Sequence, residues 1–444
     1  TVTHRIITLA ANRPVTETIY ELLTNQEDAR ACRDIPDEAC RETPTNFVIV
    51  LASNFLSKLG DAIANPKTVL SWVMTSVGAP VWMLGFLVPI RESGSLIPQL
   101  VIASYVRRLP VRKWMWVTGS VLQGLCMLGI GLVALELTGF TAGAAVLGLL
   151  VAFSLARGLS SVAAKDVLGK TIPKGRRGQL TGWSASAAGL VTVVFGGALF
   201  VTPDGADDKP LFGLALVGAA VLWGLAALTY SCVKEYRGAT EGGANAVREA
   251  FERLSILVDD RPFRHFVITR SALLCSALTA PYFVALGQAN LGGDTRVLGL
   301  FVIASGVASL VSAPVWGRLT DRSSRRVMAF AAGLTATIGA IVAIVSSLAP
   351  GVAHTLWFLP LAYFLLAIAH AGVRVGRKTY VVDLGGGNRR TDYVAVSNTV
   401  IGLVLLATGL IGTIAALVSL PAVIAALSVL GAFGAMFAWR LPET

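Results

Sequence analysis

The chain has 444 residues, 54% of them hydrophobic and 14% charged, with a mean hydropathy of +0.68 and a formal net charge of +11. So little polar side chain cannot cover a water-soluble core of this size, which excludes a soluble protein. The basic residues sit in alternate loops rather than on one stripe, which excludes nucleic acid as a partner and points to an integral membrane protein.

Residues 1–45 are polar and mixed in charge, with one helical stretch, VTETIYELL, and no apolar core of signal-peptide type, so they are expected to form a cytoplasmic lead-in. The five cysteines are too few and too scattered for a disulfide framework, and Cys32 and Cys40 in this segment are expected to be reduced.

A helix needs about 20 apolar residues to cross the hydrocarbon core. A window of that length marks twelve spans, near 46–65, 79–104, 114–136, 142–165, 184–203, 211–232, 265–289, 297–317, 327–349, 355–375, 394–418 and 421–440. Charges inside such spans cost about 2.5–3.5 kcal/mol each and so point to function. Span one carries Asn54, Lys58, Asp61 and Asn65 on one helical stripe. Span two carries Arg91, Glu92, Ser95 and Gln99 in PIRESGSLIPQ. Neighbours on a helix point about 100° apart, so Arg91 and Glu92 are poor partners for each other. Across the first hairpin, Arg91 is expected to meet Asp61, and Glu92 to meet Lys58. Asp61 and Glu92 are the carboxylates deepest in the spans and the expected proton sites.

Farther along, span four presents Arg157, Ser161 and Lys165 at one-turn intervals, span seven presents Arg270, and span ten presents His370, Arg374 and Lys378. The basic loops at 107–113, 170–177, 318–326 and 377–390 alternate with neutral or acidic ones, which places both termini in the cytoplasm of a multi-pass plasma (inner) membrane protein. Residues 233–263 form a polar linker in which VREAFERLSIL has the period of an amphipathic surface helix. It separates one six-helix bundle at 46–232 from another at 264–444.

These halves repeat. An offset of 213 places SLARGLSSVAAKDVLGKTIPKGRRGQLTGWSASAAGLV on AIAHAGVRVGRKTYVVDLGGGNRRTDYVAVSNTVIGLV without a gap, and puts VRKWM (111–115) on SRRVM (324–328). Two separate blocks sharing one offset mark structural duplication.

The loop GRLTDRSSRR (317–326) resembles the signature between the second and third helix of each half in the major facilitator superfamily, on Gly317, Leu319, Asp321, Arg322, Arg325 and Arg326. The first-half counterpart, SYVRRLPVRK, keeps the terminal basic residues but has Ser104 and Arg108 in place of the Gly and Asp. Arg157 matches the Arg of the superfamily's fourth-helix motif, although Ser160 and Ser161 replace the residues that usually follow. The resemblance implies an all-α fold of twelve transmembrane helices in two pseudo-symmetric six-helix bundles, alternating access around a site lined by spans one, four, seven and ten, and a conformational gate at Gly317, Asp321, Arg322, Arg325 and Arg326.

The expected function is therefore secondary active transport of a small organic solute by a monomer. Interior charge counts five cations (Lys58, Arg91, Arg157, Arg270, Arg374) against Asp61 and Glu92, which favours an anionic solute, with protons as coupling ion. The substrate and coupling residues expected are Asn54, Lys58, Asp61, Arg91, Glu92, Gln99, Arg157, Arg270, His370 and Arg374. A drug-type proton antiporter is the alternative, weakened because span five has Gly189, Gly196 and Gly197 but no Pro; a non-transporting receptor or scaffold is the alternative from another class. No zinc-ligand spacing, phosphate loop or nucleophile elbow is present, so neither an enzyme nor a metal or other cofactor is expected.

Overall fold

The computed structural model describes residues 15–23, 37–202, 208–238, 240, 254–320, 322–384, 389–416 and 418–443. Among these the chain is helices joined by turns, with no β-strand. A bilayer leaves no water for exposed backbone groups, so each crossing segment must pair its own N–H and C=O groups as a helix.

Ten stretches are long and apolar enough to cross a bilayer as they stand. The two further expected spans are present in other forms. Span two is the 3₁₀ turn Val81–Met83 followed by helices Leu84–Leu96 and Gln99–Arg107. Pro98 divides those two helices because its ring fixes φ and removes an N–H donor. Span eleven is the helix Arg389–Ala416, within which Val396–Leu410 is the apolar stretch. The N-terminal stretch VTETIYELL is the helix Val15–Leu23, packed on span one, with the Tyr20 ring edge-on to Phe47 at 5.3 Å.

Span one differs from its expected extent. Helix Thr43–Ile63 stops before Asn65-Pro66, but the chain resumes as helix Val69–Ser76, whose residues Val69 to Met74 are all buried. The break is repaired locally. Asn65 Oδ1 accepts from the Lys67 N–H at 2.9 Å, Asn65 O accepts from Leu70 N at 3.0 Å, and Ser71 Oγ donates to Pro66 O at 2.7 Å. Lys67, outside the expected span, is thereby held at an interior bend. Span seven is likewise broken, into Arg261–Ala272, Cys275–Leu278 and Ala280–Leu291, the last entered through Pro281.

Within the first half, span three packs on spans four and six, and span one on spans five and six; within the second, span nine packs on spans ten and twelve, and span eight on span ten. The halves meet along two long seams, span five on span eight and span two on span eleven, and where Val69–Ser76 lies on Ala280–Leu291. Close approach on the first seam depends on glycine: a Cβ at Gly299 would meet Phe200 N at 2.7 Å.

The blocks that repeat at offset 213, 111–115 and 324–328, each fasten a helix end, through different positions: Lys113 in the first half and Arg325, the counterpart of Arg112, in the second. Backbone N–H groups of Arg112 and Lys113 donate to Glu235 Oε2 at 2.8 and 2.6 Å, and Lys113 Nζ caps Ser231 O and Val233 O at 2.8 and 2.7 Å beyond span six. Beyond span twelve, Arg325 donates to Leu441 O at 2.9 Å and pairs with Glu443 at 2.6 Å. Cations on the last carbonyls of a helix satisfy orphan acceptors and complement its dipole.

Most of the amphipathic stretch expected at 247–257 lies outside the described residues; Ile256–Asp259 is a short helix leading into span seven. Cys40 is disulfide-bonded, which corrects the expectation that it is a reduced thiol. Cys126, Cys232 and Cys275 are free.

Candidate functional site: a cationic cleft between the halves

The stripe on span one meets spans two and four at a carboxylate. Asp61 Oδ1 accepts from Arg91 Nη2 at 3.0 Å and from Arg157 Nη1 at 2.5 Å. Arg91 is buried and its guanidinium lies 4.8 Å from the centre of the Phe153 ring, whose π face helps hold the charge away from water. Two guanidinium groups share one carboxylate, so the cluster keeps a net positive charge.

Around it opens a cavity of about 160 Å³ lined by Asn54, Lys58, Asp61, Gln123, Arg157 and Ser160. Lys58 is exposed and experiences, besides Asp61, the charges of Arg157, Arg374 and Arg91. The Lys58–Glu92 pair expected from the sequence does not form. Because Glu92 is one residue beyond Arg91, the turn that aims Arg91 at Asp61 aims Glu92 elsewhere. It is exposed, and the cations acting on it are Lys67, Arg91, Arg377 and Arg157.

A second cavity, of about 180 Å³, is lined by Asn65 and Lys67 of span one, Thr192 of span five, Ser276 and Ala280 of span seven, Ser305 and Ser309 of span eight, and Tyr363, His370 and Arg374 of span ten. It thus lies between the halves. Lys67 Nζ is 2.9 Å from His370 Nε2, and His370 Nδ1 is 3.1 Å from Ser276 Oγ, which donates to Leu273 O at 3.0 Å.

Of the ten residues expected to bind or couple, the structure brings Asn54, Lys58, Asp61 and Arg157 to the first cavity and His370 and Arg374 to the second, with Arg91 behind Asp61 and Glu92 exposed nearby. Gln99 lines neither; it opens the short helix after the Pro98 break. Arg270 also lines neither cavity. It is buried and spends its donors on span eleven, Nη1 to Ser397 Oγ at 2.7 Å and Nη2 to Asn398 Oδ1 at 2.9 Å, which makes it a tie between spans seven and eleven.

In the expected gate, Asp321 lies outside the described residues. Arg322 and Arg326 border a surface hollow with Trp316 and Phe330, Arg325 and Arg326 both reach Glu443, and a Cβ on Gly317 would meet nothing within 4 Å. Three site residues escaped the sequence reading. Lys67 fell in what read as a loop, Ser276 is an ordinary hydroxyl until His370 is seen beside it, and Arg377 was grouped with a basic loop although helix Phe358–Leu384 carries it.

Residues 271–444 match the family model described as Major Facilitator Superfamily. No curated protein matches the sequence. Among solved structures, the xylose transporter XylE from E. coli in an inward-open conformation is similar at 14% identity, covering 90% of this chain and 97% of that one with a TM-score of 0.65. The nucleoside transporter NupG gives 12% identity, 89% and 100% coverage and a TM-score of 0.66. A POT family transporter in complex with 5-aminolevulinic acid gives 10% identity, 88% and 95% coverage and a TM-score of 0.65. At such identities the likeness is one of fold, and it extends over both halves.

Proposed function

We infer that this chain, a member of the major facilitator superfamily, is a secondary active transporter that moves a small organic anion across the membrane by alternating access, with protons as coupling ion. The halves at 46–232 and 264–444 rock as bodies about the cleft, joined by the linker at 233–263. The protein works as a monomer in the plasma (inner) membrane with both termini in the cytoplasm. Glu235 and Glu443 hold the ends of spans six and twelve, and the loop at Gly317, Asp321, Arg322, Arg325 and Arg326 acts as the gate.

The observation that carries the reading is the charge of the cleft. Lys58, Lys67, Arg157, Arg374 and Arg377 surround the two cavities or act on Glu92. Against them stand Glu92 and an Asp61 already shared by two arginines. Excess cations away from bulk water are costly unless a negative ligand meets them, and a carboxylate or phosphate does so with charge-assisted hydrogen bonds. A D-xylose–proton symporter shares the fold, which supports proton drive. A sugar has no charge to meet such a cleft, so the solute class proposed here is different.

Comparing metabolites in cells with and without the chain supplies a set of solutes, and purified protein in liposomes tests them. Organic anions are expected to accumulate when the outside is acidified, while neutral sugars and organic cations do not. Uptake confined to neutral or cationic solutes overturns the anion reading, and uptake indifferent to the pH gradient overturns the coupling.

A further inference from the structure

A hydrogen bond between ionisable side chains crosses from one half to the other: Lys67 of span one to His370 of span ten, at 2.9 Å. We propose that Lys67, His370 and Ser276 form the coupling site, in which an incoming carboxylate or phosphate replaces His370 as the acceptor for Lys67 and His370 then takes up one proton at Nε2. This rests on the anion reading above and names where anion and proton meet.

The direction of the hydrogen bonds carries the argument. A lysine ammonium has donors and no acceptor, so Nε2 must accept from it. The ring proton then sits on Nδ1 and donates to Ser276 Oγ, whose own hydrogen goes to Leu273 O. Every group in the row has one role, and the lone pair of Nε2 is filled by Lys67. A proton can add there only after Lys67 has turned away.

What turns it is a competing acceptor. Glu92 already acts on Lys67 more strongly than any other charge, so the ammonium lies within the field of one carboxylate. The cavity that Lys67 and His370 line is also lined by Asn65 and Arg374, donors suited to hold a second carboxylate beside it. When an anion accepts from Lys67, the freed Nε2 lone pair takes a proton from a hydronium ion in the cleft. One O–H bond of the hydronium breaks, leaving water, one N–H bond forms at Nε2, and the new N–H donates to the anion. The charged groups facing the ring are Lys67 from span one and Arg374 and Arg377 from its own helix, with the Ser276 hydroxyl from span seven and the Tyr363 phenol on the same cavity.

A coupling rule follows. A monovalent anion and a proton together leave the cleft with the charge it had when empty, whereas either alone changes that charge by one. Closing the halves around an altered charge adds a desolvation cost that the paired load avoids. The empty and doubly loaded carriers are the two that reorient, which is symport.

The ring itself reports the arrangement. With only four histidines in the chain (His4, His265, His354, His370), ¹⁵N-histidine NMR of the full protein in lipid nanodiscs resolves each ring, and His370→Gln assigns the fourth. Unliganded protein is expected to hold His370 neutral with its proton on Nδ1 between about pH 8 and pH 5.5, a range that spans the ordinary imidazole titration near 6.5. In Lys67→Met the same ring is expected to take up its proton at a higher pH than the parent ring does, and in Lys67→Arg, which keeps a donor, to behave as the parent does. Saturating acetate or inorganic phosphate is expected to convert the parent ring to imidazolium within the same range. A parent ring with its proton on Nε2, a titration equal in parent and Lys67→Met, or a parent ring that every transported anion leaves neutral overturns the proposal. The Lys67→Met arm needs no ligand, so a failure of anion uptake with this arm intact would sink the anion reading and the coupling built on it while leaving the Lys67–His370 hydrogen bond and its tautomer standing.

Discussion

Asp61 receives two guanidinium groups on one oxygen, at 2.5 and 3.0 Å, and Arg91 has no other described acceptor. Removing the carboxylate leaves two facing cations with little water to reach Arg91. Asp61→Ala is therefore expected to lower stability by about 3–5 kcal/mol, the range for breaking a buried pair from one side. Thermal unfolding in detergent reads the loss. Asp61→Ala with Arg157→Met, which also deletes the more exposed cation, is expected to recover part of it. An Asp61→Ala protein as stable as the parent would show that the cluster contributes nothing net. Glu92 shows the opposite case: one residue further round the helix, it is exposed, and the charge acting on it most strongly is Lys67, ahead of Arg91, Arg377 and Arg157. The 100° step between neighbours separates a structural acid–base cluster from a carboxylate exposed to the cleft.

Helix packing between the halves turns on which glycine faces the partner. Gly196 and Gly197 are adjacent in span five, yet a Cβ on Gly196 would meet Ile303 N at 2.7 Å and Gly299 O at 3.0 Å, while one on Gly197 would meet nothing within 4 Å. Gly196→Ala is expected to cost about 1–3 kcal/mol through overpacking against backbone that cannot move aside, and Gly197→Ala to be neutral or mildly stabilising; paired melting curves separate them. The sequence shows two glycines in an apolar helix and no way to choose, because the choice depends on a helix a hundred residues away. The same limit governs the rest of what was legible. Period and apolar length located most spans to within a few residues, since a helix in lipid must carry its own apolar length. The 213-residue repeat pairs the blocks VRKWM and SRRVM, and the structure sets each beside an acid that follows a bundle's last helix, Glu235 and Glu443, a role that the sequence reading did not contain. Span one was cut short because Asn65-Pro66 interrupts the periodicity and Val69–Ser76 is too short to read as a crossing alone. With that helix went Lys67, a residue whose significance lies in a histidine 303 positions away.

The whole molecule is fastened at the end opposite its termini. Val69–Ser76 lies on Ala280–Leu291, where Gln288 Nε2 donates to Ser76 Oγ at 2.9 Å, and the glycine-lined seam of spans five and eight lies toward the same end. Near the terminus-bearing end, Lys165 of span four acts electrostatically on Lys378 of span ten, its counterpart in the repeat. Like charges favour a separated arrangement there. If the halves rock about the cleft, the Ser76–Gln288 contact must part whenever the opposite end closes. In a background with the native cysteines replaced, Ser76→Cys with Gln288→Cys bridged by a short thiol-reactive linker is expected to abolish uptake. A hydrophilic maleimide should still reach a cysteine at position 58 from the terminus-bearing side of the bridged protein. Lys165→Cys with Lys378→Cys is expected to bridge slowly and, once bridged, to close that side to the same reagent. Uptake that continues with the Ser76–Gln288 bridge in place would mean the halves do not part at that end, and would overturn the alternating access proposed above.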